Sequence, residues 1–207
     1  MAITRIGQWS SQGSSTTISV AISTPQYGDM LVAIVCTLNT APNTPAGWTS
    51  IGNTGNPYIY VFYAAAAGNE TSFSTTLSAS AKWGVSLVNY RGANAPAGFL
   101  SASGGSGSAA IVGPDPPAVA AGVFTLSVAH SPTTMTGATT VSGASWAKIV
   151  ETITGGETMC VAESTSTDPP ACTFTFSATS LVKTAAAFSL TVAPVIGQAQ
   201  TSFFTEA

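Results

Sequence analysis

Hydrophobic and polar positions along this chain follow the spacing of β-strands. The most continuously apolar stretch, residues 28–38 (GDMLVAIVCTL), is bounded by turn-forming residues and rich in β-branched side chains. These features are typical of a strand buried on both faces, and we expect the rest of the fold to be built around it. Because no stretch shows convincing helical periodicity, the pattern predicts an all-β protein.

Further strand-like segments follow at short intervals, separated by Gly, Pro and Asn. Residues 16–23 alternate between apolar and polar, residues 58–63 have the highest β-propensity, and residues 83–90 close the first part of the chain. Residues 93–121 differ because they are rich in Gly, Ser and Pro. That composition predicts a crossing segment with at most one short strand, near residues 109–112.

The second part of the chain repeats the order of features in the first. Trp146 and Ile149 reproduce the spacing of Trp48 and Ile51, 98 residues later. This repeat predicts a jelly-roll-like antiparallel β-sandwich built from two similar halves, with the two tryptophans in equivalent places. The expected organisation is one sandwich domain over residues 1–194, with halves at about 16–93 and 122–194, followed by a C-terminal arm over residues 195–207.

Charged residues are unusually scarce. They make up 6% of the chain, whereas an average globular protein has about 25%. Near-neutral, charge-poor surfaces favour self-association, so we expect a protein that works packed against other proteins. The net charge of −3, with five scattered basic residues, predicts no nucleic-acid partner and no anionic membrane surface.

Cysteine usage and the amino terminus predict where the chain folds. Cys36, Cys160 and Cys172 are too few for a disulfide scaffold and lack metal-ligand spacing. No signal peptide is apparent, and no apolar run approaches the roughly 18 residues of a membrane helix. We therefore expect synthesis in a reducing cytoplasm and free thiols. A hairpin turn centred near residue 166 would place Cys160 opposite Cys172.

The residue patterns that carry catalysis are absent from the sequence. The only histidine, His130, precedes a Ser-Pro pair and is interpreted as a polar residue at a strand end rather than a catalytic base. The eight acidic residues are scattered, and their spacing predicts no glycosidase pair. Asp29 is interpreted as a turn residue that accepts backbone N–H groups. We expect no enzymatic activity, metal or cofactor.

Several short motifs resemble a pattern common in virion proteins of tailed bacteriophages. They are Gly28–Ala33, Pro45–Trp48, Val61–Ala64, Phe73–Ser74, Tyr90–Gly92 and the closing strand that runs into Ala193-Pro194. The resemblance covers about residues 16–194 and implies a jelly-roll-like sandwich with a structural, non-enzymatic role. Members of this kind are capsid decoration (cement) proteins or tail-associated proteins.

The resemblance leaves two functional hypotheses. The first is a decoration protein on the virion surface, a homotrimer that binds the major capsid protein and stabilises the shell by protein–protein contacts. The alternative is a tail or fibre module whose loops contact a host-surface glycan, for which Tyr58, Tyr60 and Phe62 could provide an aromatic platform. Under both hypotheses the protein needs no cofactor, nucleic acid or membrane.

Candidate interface residues lie near the two ends of the chain. Phe203 and Phe204 stand side by side in the predicted arm, where exposed aromatic rings would gain nothing in water. We expect them to dock in a groove on a sister subunit or on the shell. The alternative is that the arm covers its own sandwich. Trp9, in the amino-terminal segment, is the third candidate.

Overall fold

The protein forms thirteen β-strands in the computed structural model, which describes residues 2–104, 108–132, 139–154, 157–177 and 183–192. The predicted all-β, antiparallel sandwich is confirmed. The described part of the chain contains no helix of the length and apolarity needed to cross a membrane. The strands are β1 (Thr4–Ala21), β2 (Met30–Thr37), β3 (Thr49–Asn53), β4 (Tyr58–Ala65), β5 (Ser72–Arg91), β6 (Ala97–Gly104), β7 (Ala110–Val112), β8 (Thr125–Ser131), β9 (Thr140–Ser142), β10 (Trp146–Thr154), β11 (Glu157–Ser164), β12 (Thr173–Thr175) and β13 (Lys183–Ser189).

Two five-stranded sheets share one topology. Sheet 1 has the order β1-β5-β2-β4-β3, and sheet 2 has the order β6-β13-β8-β11-β10. All neighbouring strands are antiparallel. Strands at the same place in the two sheets also occur in the same chain order. The repeat predicted from the sequence therefore has a structural counterpart, with one copy of the unit in each sheet.

The main core lies between the two sheets. Val32 and Val61 of sheet 1 share one buried cluster with Val128, Val161 and Phe188 of sheet 2. All eight residues of β2 are buried, as predicted for a strand covered on both faces. Fully burying one such aliphatic side chain contributes about 1.5–3 kcal/mol, so this layer is a principal source of stability.

The outer face of each sheet is covered by a smaller layer. In sheet 1, the pairing of β1 with β5 breaks after Ser15, and the remaining ribbon, with Ile18 and Phe73, packs over Phe62. In sheet 2, the three-stranded sheet β7-β12-β9 occupies the corresponding place, with Phe174 in the covering layer. The sandwich therefore has four layers.

The two sheets are related by an approximate twofold arrangement. Edge strand β1 lies beside edge strand β10, and the corresponding edges β6 and β3 lie beside each other. Likewise, β5 contacts β11 while β4 contacts β13. The same face of the repeated unit is therefore used by both sheets, as in the isologous interface of a twofold dimer.

Edge strands are where the sequence-based prediction was wrong. Strand β1 begins at Thr4 rather than near residue 16, and β6 lies in the segment expected to be mostly loop. These strands have little apolar alternation because much of their surface faces solvent. Glycines in β1 instead make room for rings: a Cβ on Gly13 would lie 2.6 Å from the Trp83 ring.

The two predicted tryptophan equivalents do occupy matching places. Trp48 immediately precedes β3 and Trp146 begins β10, the corresponding edge strand. Each backbone N–H donates to a carbonyl three residues earlier, at 3.1 and 3.3 Å. Each partly buried ring packs against the outer cluster of its own sheet. The prediction of equivalence is confirmed.

The predicted hairpin pairing of Cys160 with Cys172 was wrong. In β11, Cys160 lies opposite Ala129 and Glu151, whereas Cys172 precedes β12 in the covering layer. The chain leaves sheet 2 between these cysteines, so no common ladder joins them. Both thiols are free and buried, and burial raises the pKa of Cys172 to about 12.

Candidate interaction surfaces

The structure places Trp9 on the outer face of sheet 1. It lies opposite Leu87 of β5, and its ring covers Gly7, where an added Cβ would be 2.7 Å from the ring. The ring is partly buried against its own sheet, so only part of it is available to a partner. Phe203 and Phe204, with the arm over residues 195–207, lie outside the described residues, and their docking stays a prediction.

Strand β1 presents a long edge with little protection. It pairs with β5 on one side, and no described strand pairs with its other side. Open edges usually carry charges or proline that discourage pairing with another chain. Over its eighteen residues, β1 has one charged residue, Arg5, and no proline. Arg5 is itself neutralised by an ion pair with Glu163 at 2.8 Å. All the other side chains of β1 are uncharged, so no unpaired charge protects this edge.

Glutamines of β1 join this edge to the neighbouring sheet. The Gln8 side chain donates to the carbonyl of Ile149, and Gln12 Nε2 donates to the carbonyl of Ile153 at 3.0 Å. These bonds satisfy carbonyl groups of edge strand β10. A shallow groove remains beside them and is bordered by Ser10.

Most charged side chains are neutralised within the fold. Asp29 is buried and accepts from Arg91 at 2.9 and 3.0 Å, from the Gln26 N–H at 2.9 Å and from Asn89 at 3.1 Å. Although burial opposes it, these hydrogen bonds hold the pKa of Asp29 below its ordinary value. The predicted role of Asp29 as an acceptor of backbone N–H groups in a turn is confirmed. Its ion pair with Arg91 was not predicted.

Other charges are paired or buried as well. Lys148 and Glu151 form an ion pair at 2.9 Å, while Glu157 and Lys183 lie inside the protein. Few unpaired charged groups are therefore left on the described surface, which consists mainly of hydroxyl, amide and small apolar groups.

His130 and Glu157 form a buried polar pair between the sheets. His130 was predicted to be a polar residue at a strand end, and it is the penultimate residue of β8, but its side chain is fully buried. Its Nε2 lies 3.8 Å from Glu157 Oε2, which is too long for a hydrogen bond. Burial lowers the pKa of His130 to about 3 and raises that of Glu157 to about 8. At neutral pH both groups are therefore mainly uncharged.

This pair lacks the features of a catalytic site. Neither side chain makes a hydrogen bond of normal geometry in the described structure. Cys36, whose thiol could act as a nucleophile, is itself fully buried, and its pKa is raised by burial and by Glu157. All three side chains are therefore shielded from solvent. The described residues also contain no group of three or more His, Cys, Asp or Glu that could hold a metal ion.

An open groove lies beside Trp48 on the outer side of sheet 1. Its volume is about 480 Å³, and uncharged residues line it: Asn43, Thr44, Pro45, Ala46, Trp48, Ser72, Ser74, Thr75 and Thr76. The Trp48 ring stands edge-on to Phe73, with ring centroids 4.9 Å apart. Sequence reasoning missed this groove. The signal that could have indicated it was the matching turn before Trp48 and Trp146.

The aromatic platform considered from the sequence is only partly exposed. Tyr60 stacks on Phe62 at 6.0 Å and lies 5.8 Å from Tyr58 on the outer face of sheet 1. Phe62 is completely buried, so it belongs to the core, whereas the two tyrosines keep some exposure.

No family model, curated protein or solved structure matches this chain.

Proposed function

We propose that this chain is a structural protein of a tailed-bacteriophage virion, a capsid decoration protein that stabilises the shell through protein–protein contacts. The proposal rests on the short motifs that resemble virion proteins and on the surface chemistry of the fold. The partners are the major capsid protein and further copies of the chain in a homotrimer. The protein acts mechanically and carries out no reaction.

The observation that carries the proposal is the scarcity of unpaired charge on the surface. Six of the charged side chains form three ion pairs, and one of the six, Asp29, is itself buried. A surface of hydroxyls, amides and small side chains can be desolvated at low electrostatic cost, because burying an unpaired charge is far more expensive. Such a surface suits a protein whose outer faces become covered by neighbours.

The open edge of β1 offers one way for copies to associate. Its unpaired backbone groups can accept a strand from another copy, and no row of charges opposes this. A stable interface buries about 1,600 Å² in total, which is more area than one pair of edge strands covers. Side chains on the adjoining face of the sheet must therefore contact the neighbouring copy as well.

Charge substitution at the edge tests this account. Ser10 is exposed on β1, and Ser10→Lys adds a charge that disfavours edge-to-edge pairing. Ala144→Lys adds the same charge in the exposed turn between β9 and β10 and serves as the control. Sedimentation velocity should show a trimer for the wild type and the control, and a smaller species for Ser10→Lys. A wild-type chain that stays monomeric and does not bind purified phage shells would refute the proposal.

A further inference from the structure

We propose that the groove beside Trp48 is a binding site for a neutral saccharide. This inference is independent of the structural role proposed above, because a decoration protein does not require a ligand site. It gives the alternative hypothesis, a module that contacts a glycan, a specific location.

The lining of the groove defines the class of ligand. Its residues are uncharged and mostly hydroxyl- or amide-bearing, with one large aromatic ring, Trp48. An anionic ligand would find no cation there, and a purely apolar ligand would leave the hydroxyl groups without partners. A neutral sugar presents both C–H faces that pack on an indole and hydroxyl groups that exchange hydrogen bonds with Ser, Thr and Asn.

The groove is fixed before any ligand arrives. The Asn43 side chain donates to Thr76 Oγ1 at 2.8 Å, and the Asn43 backbone N–H donates to the Thr76 carbonyl at 2.9 Å. Thr75 Oγ1 donates in turn to the Asn43 carbonyl at 2.5 Å. These bonds attach the loop before Trp48 to the covering ribbon. A preformed site avoids the cost of ordering a loop on binding.

Trp48 is positioned to present its indole to the groove. Phe73 supports the ring edge-on at 4.9 Å, which fixes the orientation of the indole. No described residue accepts a hydrogen bond from the Trp48 indole N–H. That donor is available to a ligand hydroxyl, as expected of a polar group that fixes ligand orientation in a pocket.

In the second copy of the repeat, the corresponding indole N–H already has a partner. The indole N–H of Trp146 donates to the Pro170 carbonyl at 2.7 Å. Pro170 lies in the loop over residues 165–172, eight residues between β11 and β12, whereas the corresponding loop over residues 66–71 has six. The longer loop supplies the partner that Trp48 lacks. The two halves thus share the tryptophan turn, but among the described residues an acceptor for its indole N–H is present only in the second half.

NMR of the indole N–H groups tests the proposal directly. The chain has four tryptophans, so a ¹⁵N-labelled sample gives four indole signals that single Trp→Phe variants assign. Trisaccharides of glucose, galactose and N-acetylglucosamine are titrated to about 10 mM, which detects weak binding. The proposal predicts a saturable shift of the Trp48 signal with at least one sugar, together with backbone shifts at Thr44 and Thr76, and no shift of Trp146.

Three variants separate a binding role from a structural one. Trp48→Ala removes the aromatic face and should weaken binding at least about tenfold. Trp48→Phe keeps a flat ring but loses the indole N–H, so its affinity should lie between those of the wild type and Trp48→Ala. Trp146→Phe removes the corresponding indole in the second half and should bind as the wild type does. Thermal melting of each variant establishes that it is folded.

Two results would overturn the proposal. One is the absence of any sugar-dependent shift at Trp48. The other is a set of sugar-dependent backbone shifts that persists in folded Trp48→Ala, which would place the sugar elsewhere. If Trp48→Ala instead lost shell binding while no sugar bound the wild type, the groove would be a protein contact and the saccharide proposal would be wrong.

Discussion

Replacing Glu157 by Gln should change how the stability of this protein depends on pH. Glu157 is 2% exposed and lies 3.8 Å from His130 between the two sheets. Burial raises its pKa to about 8 from an ordinary value of 4.5, although the charge of Lys82 partly opposes the shift. The folded protein therefore holds a proton that the unfolded chain releases between these pH values.

The sign and size of the effect follow from that difference. Between pH 4.5 and 8 the unfolded state binds fewer protons at Glu157 than the folded state, so stability falls as pH rises. Each pH unit in this window costs about 1.4 kcal/mol, and the loss reaches about 3 kcal/mol at pH 7. Glutamine has nearly the same shape and no charge, so Glu157→Gln should remove this slope.

Urea unfolding at several pH values between 5 and 8 measures the effect. The stability of the wild type relative to Glu157→Gln should decline across the series. His130 contributes in the opposite direction, since its lowered pKa costs stability as pH falls from 6.5 towards about 3, but it is present in both proteins. Asp115→Asn, at an exposed loop position, is the control, and its free energy of unfolding should depend on pH as that of the wild type does. If the free energies of unfolding of Glu157→Gln and the wild type changed with pH in the same way, Glu157 would not hold a proton in the folded core.

Two substitutions test the packing of sheet 1. Gly13→Ala should cost about 1–3 kcal/mol in urea unfolding, because its Cβ would lie 2.6 Å from the Trp83 ring. Gly55→Ala, with no atom within 4 Å of the added Cβ, should change stability little, and equal costs at the two sites would contradict the ring contact. Asp29→Asn should cost about 2 kcal/mol at pH 7 by weakening the bonds from Arg91. Because the pKa of Asp29 is lowered, this cost should shrink as pH falls below about 4, and a cost that does not change with pH would argue against an ionised Asp29.

The sequence predicted the centre of the fold better than its edges. Strand β2 was evident because both of its faces are covered, which makes every position apolar. Strands β1 and β6 were missed or shortened because edge strands with Ser, Gly and Thr carry little alternation. The repeat could be recognised from Trp48 and Trp146, since they lie at the start of the corresponding edge strands β3 and β10, after the same kind of turn.

The candidate sites depended on information that local sequence does not contain. His130 of β8 and Glu157 of β11 lie on neighbouring strands of sheet 2 and come together only through the pairing of those strands, so neither residue's neighbours in the chain indicate the pair. The loop over residues 66–71 is two residues shorter than the loop that supplies the Pro170 carbonyl to the Trp146 indole in the other half, and this difference in length has no meaning until the two halves are superimposed by their shared topology.

The number of copies of this chain in a purified phage particle tests the central claim most directly. Quantitative mass spectrometry with isotope-labelled peptides, calibrated against the major capsid protein, provides that number. A decoration protein that covers the shell should be present in hundreds of copies, in a fixed ratio to the capsid subunit. A few to a few dozen copies would assign the chain to the tail and contradict the decoration role, and absence from the particle would contradict a virion role altogether.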